Sequence, residues 1–359
     1  MKKKFVLVLA LVLLVASTAF AGDVKFSGRV RQGYVFRFYT NGDAAKITSK
    51  RVKEGKLTFK VEDADGLWSL NFGDLNGTLD SNDKLAANAS ISLSKAMEKA
   101  GVDMKDWSIA LGIGNTGADT GLRAYNDVNG NGYDKFKNNG TYSADVTVGY
   151  GKMVSVKVSA DPVTVKNDTT ENKRSFAVTA LVTPVDGVKV AAGYGYNFVG
   201  GATTTAAPVT AKNAIYGAVT VDIAKLASMK DFNLKVSAWD QYAFKDTSTT
   251  PETEAKNWMQ ANIALGTAKV SGYVEYSIFN KVQNLNVTAN FNVVKNMGLD
   301  AYFDLGTMND ADEMTWDIGG DVSYTFGGVV YSLNAEYDHA KKGSDKHSFA
   351  LTPAVAISF

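Results

Sequence analysis

The chain has 359 residues, with 38 Lys and Arg against 37 Asp and Glu, two His and no Cys. The lack of cysteine excludes disulfides and thiolate metal sites. The charge balance gives no sign of a polyanion-binding surface, so nucleic acid is not expected as a partner. At 45% apolar and 21% charged residues, with a mean hydropathy of −0.11, the chain is too apolar for disorder and too polar for a bundle of membrane helices.

The N-terminus has the three parts of a secretory signal peptide. Lys2, Lys3 and Lys4 precede an apolar run over 5–16, and Ala19-Phe20-Ala21 is a small-x-small cleavage site. The apolar run is short for a membrane-spanning helix, which needs about 20 residues. We therefore expect cleavage of residues 1–21, leaving residues 22–359 as one domain with 35 basic and 37 acidic residues.

From Asp23 onward, apolar and polar residues alternate with a period of two, which is typical of β-strands with one apolar and one polar face. The segment 283–293 shows this most clearly, because Leu285, Val287, Ala289 and Phe291 alternate with Asn and Thr. A soluble core would have to supply partners for so many amides. A water-filled lumen would hydrate them directly.

Eighteen strands are predicted, near 24–38, 51–62, 67–75, 87–95, 107–114, 141–150, 153–161, 175–183, 188–198, 213–223, 232–242, 257–265, 268–279, 284–293, 297–305, 314–326, 329–338 and 347–359. Sixteen is the alternative count, since 94–106 also fits a short helix in a turn. Tight turns such as Gly327-Gly328 alternate with longer connections such as 199–212. This alternation, and the cost of unpaired sheet edges in lipid, predict an all-β transmembrane antiparallel β-barrel in contact with outer-membrane lipid.

Aromatic residues are expected at both interfacial levels of such a barrel. On the apolar face, the long-loop ends carry Phe36, Phe38, Tyr194, Tyr196, Phe198, Tyr276 and Tyr337, and the short-turn ends carry Tyr324, Phe326, Tyr331 and Phe359. A secreted β-sandwich, which is the alternative fold, gives no reason for this placement.

The last strand carries a recognisable signal. Its apolar face runs through Phe349, Leu351, Val355 and Ile357 and ends at Phe359. This resembles the C-terminal insertion signal of bacterial outer-membrane proteins, and the chain as a whole resembles the general porin class. The resemblance implies delivery to the barrel-assembly machinery, location in the bacterial outer membrane and a possible homotrimer. The Pro-Glu-Phe-Gly-Gly type of constriction-loop motif known from enterobacterial porins is absent from the sequence.

Charged residues at inward positions separate by sign along the chain. Early strands are basic and late strands acidic, and the predicted pore-lining residues are Arg29, Arg31, Arg37, Lys56, Asp300, Asp304, Asp317, Asp321 and Glu336, with Lys25, Lys60 and Asp338 at further inward positions. Because closure joins the last strand to the first, the two groups should be neighbours across the seam. A transverse field in the lumen would favour hydrophilic solutes; hydrated charge without a selective role is the alternative.

The longest predicted connection, 115–140, resembles in position the infolded third loop of general porins. Asp127, Asn129, Asn131 and Asp134 within it match the first half of a calcium-binding loop, with Gly132 at the sixth position. Asn138 replaces the expected bidentate Glu. A polar Asn-Gly turn is therefore favoured over a weak calcium site.

No enzyme is predicted. The two His residues, His339 and His347, lie near a long-loop end, and His347 and Ser348 point to opposite faces of a strand. No catalytic elbow or phosphate-binding loop is present in the sequence, and no cofactor is expected. The sequence predicts a porin for passive diffusion of small hydrophilic solutes and ions, with a surface barrel lacking an open pore or a substrate-selective channel as alternatives.

Overall fold

The computed structural model describes residues 22–41, 44–73, 86–116, 142–161, 175–200, 209–245, 256–279, 281–292, 294–308, 314–340 and 347–358. They form eighteen strands: β1 Gly22–Asn41, β2 Ala44–Asp63, β3 Trp68–Gly73, β4 Ala86–Ser92, β5 Trp107–Thr116, β6 Tyr142–Tyr150, β7 Val154–Asp161, β8 Ser175–Val185, β9 Val188–Gly200, β10 Val209–Asp222, β11 Asn233–Ala243, β12 Lys256–Gly266, β13 Val270–Phe279, β14 Val282–Phe291, β15 Met297–Gly306, β16 Thr315–Phe326, β17 Val329–Ala340 and β18 His347–Ser358.

The strands form one closed antiparallel sheet. Each strand pairs with its neighbours in the chain, and β1 also pairs with β18, in a register that runs from Arg29 opposite Ser358 to Tyr39 opposite Ser348. Because the number of antiparallel strands is even, the start of β1 and the end of β18 lie on the same side of the membrane-spanning sheet. The prediction of an all-β antiparallel barrel with eighteen strands is confirmed, and the alternative of sixteen strands is wrong.

The apolar face of the sheet points outward. Val274, Val287 and Phe291, which belong to the alternating apolar positions of β13 and β14, are 37–38% exposed, and Ile263 and Ile318 are exposed as well. Soluble monomers rarely expose a continuous apolar surface of this size. An apolar surface of this kind is stable in contact with hydrocarbon. Closure of the sheet also pairs the backbone groups that an open sheet edge would leave unpaired in lipid.

Aromatic residues mark both ends of the outward face. On the long-loop side, Phe38 lies against Phe349 with ring centroids 6.3 Å apart, and Tyr242 against Phe244 at 5.1 Å. On the short-turn side, Trp107 contacts Tyr150 at 5.0 Å. Of the residues predicted for these levels, the structure places Phe36, Tyr194, Tyr324, Phe326 and Tyr331 at exposed outward positions. The side chains of Phe198 and Phe359 lie outside the described residues.

The turns differ from the simple alternation that the sequence predicts. The turn from β16 to β17 is tight as expected, since Gly327 and Gly328 have φ of +59° and +80°, the conformation of a two-residue type I′ hairpin. On the long-loop side, however, only residues 42–43 join β1 to β2 and only 280–281 join β13 to β14. The polar segment 44–50 was not predicted as a strand, because only its pairing with β1, as in Ile47 opposite Phe38, makes it one.

Two short helices lie on the short-turn side. Helix α1, Leu93–Lys99, and helix α2, Ile223–Leu226, follow β4 and β10, and Ser92 and Asp222 cap their N-termini. The short helix predicted as possible within 94–106 is thus present, and β4 ends before it at Ser92. Neither helix of the described ranges is long and apolar enough to span a membrane.

Each helix is tied to a neighbouring turn by an ion pair. Lys99 on α1 donates to Asp65, and Lys225 on α2 donates to Asp186 over 2.7 Å. These hydrogen bonds lower the pKa of Asp65 and Asp186 and raise the pKa of the two lysines. Both pairs are therefore fully charged at neutral pH, and they fix the helices on this rim.

A charged side chain at the centre of the outward face should be poorly tolerated. Val274→Arg should lower the free energy of unfolding in lipid vesicles by about 2–4 kcal/mol, because Arg at the bilayer midplane loses its hydration. The matched control is Thr352→Arg, which places the same side chain on the inward face of β18. Urea titrations followed by tryptophan fluorescence measure the difference; equal effects of the two substitutions would contradict the assigned orientation.

Candidate functional site

The inner surface of the barrel has parts of different character. Along β7 to β14 many inward side chains are buried, and this part is called here the packed wall. Lys189 is exposed and Lys157 and Lys235 are half-buried on the same strands. The buried members of the packed wall are mostly polar or small: Ser159, Ala177, Thr179, Ala191, Ala214, Tyr216, Ser237, Trp239, Gln241, Gln260, Asn262, Tyr273, Glu275, Ser277, Asn286 and Thr288.

Hydrogen bonds link side chains within the packed wall. Trp239 Nε1 donates to Gln260 Oε1 over 3.0 Å, and Tyr273 Oη donates to Glu275 Oε2 over 2.6 Å. Such internal bonds offset the cost of removing these groups from water.

The polar row of β14 corrects one expectation. Asn286 and Thr288 point inward as predicted, but they are only 7% and 3% exposed, so no water-filled lumen hydrates them. Thr288 instead donates to Asn286 over 3.2 Å, and Asn286 donates to Asp304. Alternation alone identifies the inward face, but it cannot tell whether protein or water covers that face.

A second part of the inner surface, on β15 to β17, β1 and β2, carries the charges predicted to line the pore, while Lys157 pairs with Asp145 and Lys235 with Asp222 on other strands. This second part is called here the charged wall and consists of Arg29, Arg31, Arg37, Asp300, Asp304, Asp317, Asp321, Glu336 and Asp338. These side chains are half-buried or exposed, not buried. The side chain of Lys56 lies outside the described residues, although its backbone pairs with Arg29.

A single row of the sheet organises the centre of the charged wall. Tyr302 on β15 is opposite Gly319 on β16, which is opposite Glu336 on β17; Glu336 in turn is opposite Ala350 on β18, and Ala350 is opposite Arg37 on β1. Large and small residues therefore alternate across five strands. A long side chain can therefore lie over the small residue on the adjacent strand and reach a residue two strands away.

Glu336 is held from both sides in this row. Tyr302 Oη donates to Glu336 Oε2 over 2.7 Å, passing over Gly319, and Arg37 Nη2 donates to Glu336 Oε1 over 3.3 Å, passing over Ala350. A side chain at position 319 would meet the phenol of Tyr302. Ala350 is 2% exposed, because the neighbouring side chains cover it.

Arg37 makes a second ion pair one row nearer the long loops. Its Nη1 lies 3.3 Å from Asp338 Oδ2, and Ser348 Oγ donates to the same oxygen over 2.6 Å. One guanidinium thus joins two carboxylates of β17 to β1 across the seam where the barrel closes. Charge-assisted bonds of this kind are stronger than neutral ones and orient the groups that make them.

The basic residues nearer the short turns are arranged differently. Lys25 and Lys60 both contact Glu62, over 3.2 Å and 2.5 Å. Among the described residues, Arg29 and Arg31 have no ion-pair partner, although Arg31 lies within electrostatic range of Asp321. Their guanidinium groups can therefore bind a passing anionic group.

Register explains which residues sequence reasoning missed. Tyr302, Gly319 and Ala350 were not among the predicted site residues, because a tyrosine, a glycine and an alanine carry no charge signal. Their part depends on which residue of β16 or β18 lies beside them. Chemically, the charged wall can bind ions and orient polar solutes; among the described ranges, no group of three or more His, Asp or Glu could hold a metal ion.

Two further predictions concern residues that the structure leaves undescribed. The infolded loop expected at 115–140 falls almost wholly outside the described residues, as does the calcium candidate formed by Asp127, Asn129, Asn131 and Asp134. Both stay predictions.

Several solved structures from Pseudomonas share this architecture. The chain superposes on OpdQ of Pseudomonas aeruginosa with a TM-score of 0.60 and 10% identity, covering 94% of this chain and 98% of that one. The OccK2 (OpdF) structure of the same species, in complex with glucuronate, gives 0.59 and 9%, with 94% and 98% covered. A BenF-like porin from Pseudomonas fluorescens Pf-5 gives 0.54 and 11%, with 94% and 99% covered.

These likenesses establish the fold, which is that of the porin barrels. At about one residue in ten identical, they carry no residue roles over to this chain. No family model matches the sequence, and no curated protein matches it.

The row from Tyr302 to Arg37 can be tested by enlarging Ala350, one of its two small residues. Ala350→Leu should lower the free energy of unfolding by about 1–3 kcal/mol, because the added atoms displace Arg37 from Glu336 in a closely packed row. Ala335→Leu is the control, since residue 335 has the same size but lies on the outward face of β17. Urea titrations of both refolded variants measure this, and an equal loss would contradict the proposed row.

Proposed function

We propose that the chain is a porin of the bacterial outer membrane, through which small hydrophilic solutes and ions diffuse passively. A closed barrel of eighteen strands is wide enough to enclose an aqueous channel. The single observation that carries the proposal is the pairing of an exposed apolar outer face with an inner wall of half-exposed charges. Such a surface is stable only when hydrocarbon lies outside and water within.

The solute path follows the charged wall in this proposal. Many side chains of the packed wall are buried, whereas those of the charged wall are half-buried or exposed, and this difference supports a path beside β15 to β17, β1 and β2. Basic and acidic groups lie on adjoining parts of this wall, and they create a field across the path. A field of this kind orients polar solutes and favours them over apolar ones.

Selective uptake is a second candidate function, and a specific observation favours it. Arg29 and Arg31 follow one another along the inner face of β1 without ion-pair partners among the described residues. Guanidinium groups bind carboxylates in a bidentate manner, and OccK2 was solved with the carboxylate sugar glucuronate. Glucuronate added to one side of a bilayer should then block the ion current in a saturable manner, whereas a general porin shows no saturation.

Single-channel recording on the refolded protein separates these functions from a third. Stable conductance steps, with a size limit for added sugars, would support a pore. A barrel whose surface loops bind other cells, with a sealed lumen, would give no conductance at all, and that result would contradict both transport proposals.

The charge of Arg31 should set ion selectivity. Arg31→Glu should shift the reversal potential in a salt gradient toward cations, because it reverses one charge in the path beside Asp321. Lys152→Glu is the control, since Lys152 lies exposed in the β6–β7 turn on the rim. An unchanged reversal potential in Arg31→Glu would remove this residue from the conduction path.

Assembly is a further part of the proposal. Arg51 is exposed on the outward face of β2, opposite Tyr34, where hydrocarbon would cost about 2–4 kcal/mol for a charge at the midplane. Contact with another copy would cover this position, so a homotrimer packed through β1 and β2 is proposed. The mass of the complex in detergent, measured by light scattering, tests this: three chains support it, and a single chain contradicts it.

The C-terminal strand supports a route to the membrane. The outward positions of β18, among them Phe349, Val355 and Ile357, are apolar and exposed, as an insertion signal for the barrel-assembly machinery requires. Recognition by that machinery stays a proposal, as does removal of residues 1–21.

A further inference from the structure

The two histidines of the chain meet on the outer surface of the barrel. His339 on β17 and His347 on β18 are directly opposite each other in the register, at the long-loop end of the last hairpin. Asp338, the neighbour of His339 in the chain, points into the lumen toward Ser348 and Arg37. His339 points outward with His347.

The geometry brings three polar atoms together. The Nδ1 atoms of His339 and His347 lie 3.1 Å apart, and Tyr337 Oη lies 2.9 Å from Nδ1 of His347. Trp316 supports the cluster from β16, with its ring 5.3 Å from that of His339 and 5.4 Å from that of Tyr337. Both imidazoles are half-buried, so aromatic packing orients them while solvent can still reach them.

Hydrogen bonds alone do not satisfy all three of these polar atoms. A ring nitrogen has one position for either a hydrogen or a lone pair, yet Nδ1 of His347 faces two partners. A metal ion needs the opposite arrangement, in which several lone pairs converge on one point. Since a metal–imidazole bond is about 2.0–2.1 Å long, two nitrogens on one ion lie about 2.9–3.4 Å apart, and the observed separation falls within that range.

We propose that His339 and His347 form a binding site for a divalent transition-metal ion of the copper, nickel or zinc class, bound through the two Nδ1 atoms. Imidazole is a preferred ligand for these ions. Water completes the coordination, and the ion replaces the hydrogen bond between the Tyr337 hydroxyl and Nδ1 of His347. The ion joins β17 to β18, and because β18 also pairs with β1, it stabilises the hairpin next to the barrel seam.

The composition of the chain makes the site easy to test. With two His and no Cys in the sequence, these two rings are the only imidazoles that can bind a metal, provided that the protein carries no histidine tag. The experiment titrates the untagged, refolded protein in detergent with Cu²⁺ at pH 7.5 and follows electron paramagnetic resonance. One ion per chain with hyperfine coupling to two imidazole nitrogens is expected.

Variants separate this site from other copper ligands. His339→Ala and His347→Ala should each abolish the two-nitrogen signature and weaken Cu²⁺ binding at least tenfold. Tyr337→Phe is the matched control, since it removes only the hydroxyl and should retain both nitrogens. Circular dichroism gives a second measurement: Ni²⁺ should raise the melting temperature of the unmodified barrel, because an ion that binds only the folded state stabilises it, and should leave the His347→Ala barrel unchanged.

Two results would overturn the proposal. Copper binding of equal affinity in His347→Ala would place the ion elsewhere, on the amino terminus or on carboxylates. Lack of saturable binding below millimolar Cu²⁺ would show that the two rings are only a packed surface pair.

Discussion

The constraint on which the structure depends is that backbone amides and carbonyls in hydrocarbon must find partners within the protein. In a sheet this is possible only if the last strand meets the first, as β18 meets β1. Closure then fixes which residues are neighbours. It brings Arg37, from the beginning of the described chain, within 3.3 Å of Glu336 and Asp338 near its end. The ion pairs of the charged wall therefore follow from the closure of the barrel.

The second consequence of closure is that side chains on the two faces of the sheet lie in different environments, one apolar and one polar. Outward positions such as Ile318 and Val322 are apolar and exposed, whereas Asp317 and Asp321 beside them face inward. The inner surface is itself divided, since Gln241 and Gln260 are buried on the packed wall while the charges of the other wall stay accessible. A porin function depends on this asymmetry, because it leaves a polar path along one side of the barrel.

Much of the fold could be predicted from the sequence, because a period of two in hydrophobicity is a local property. It identified Phe291 as outward and Asp304 as inward without knowledge of any neighbour. Pairing between strands is not local, so the extension of β2 to Ala44 and the two-residue connections at 42–43 and 280–281 were not predicted. The roles of Gly319 and Ala350 were missed for the same reason, since each depends on the side chains of adjacent strands. The meeting of His339 with His347 depends on the register of one hairpin.

The orientation of the sheet is the central claim, and thiol accessibility along β16 tests it most directly. The chain has no cysteine, so single substitutions from Asp317→Cys to Ser323→Cys each introduce one reactive group. In the protein reconstituted in vesicles, a charged, water-soluble thiol reagent should modify residues 317, 321 and 323 rapidly, and residues 318 and 322 at least tenfold more slowly. Equal rates at odd and even positions, or faster reaction at 318 and 322, would show that the apolar face does not lie in the bilayer.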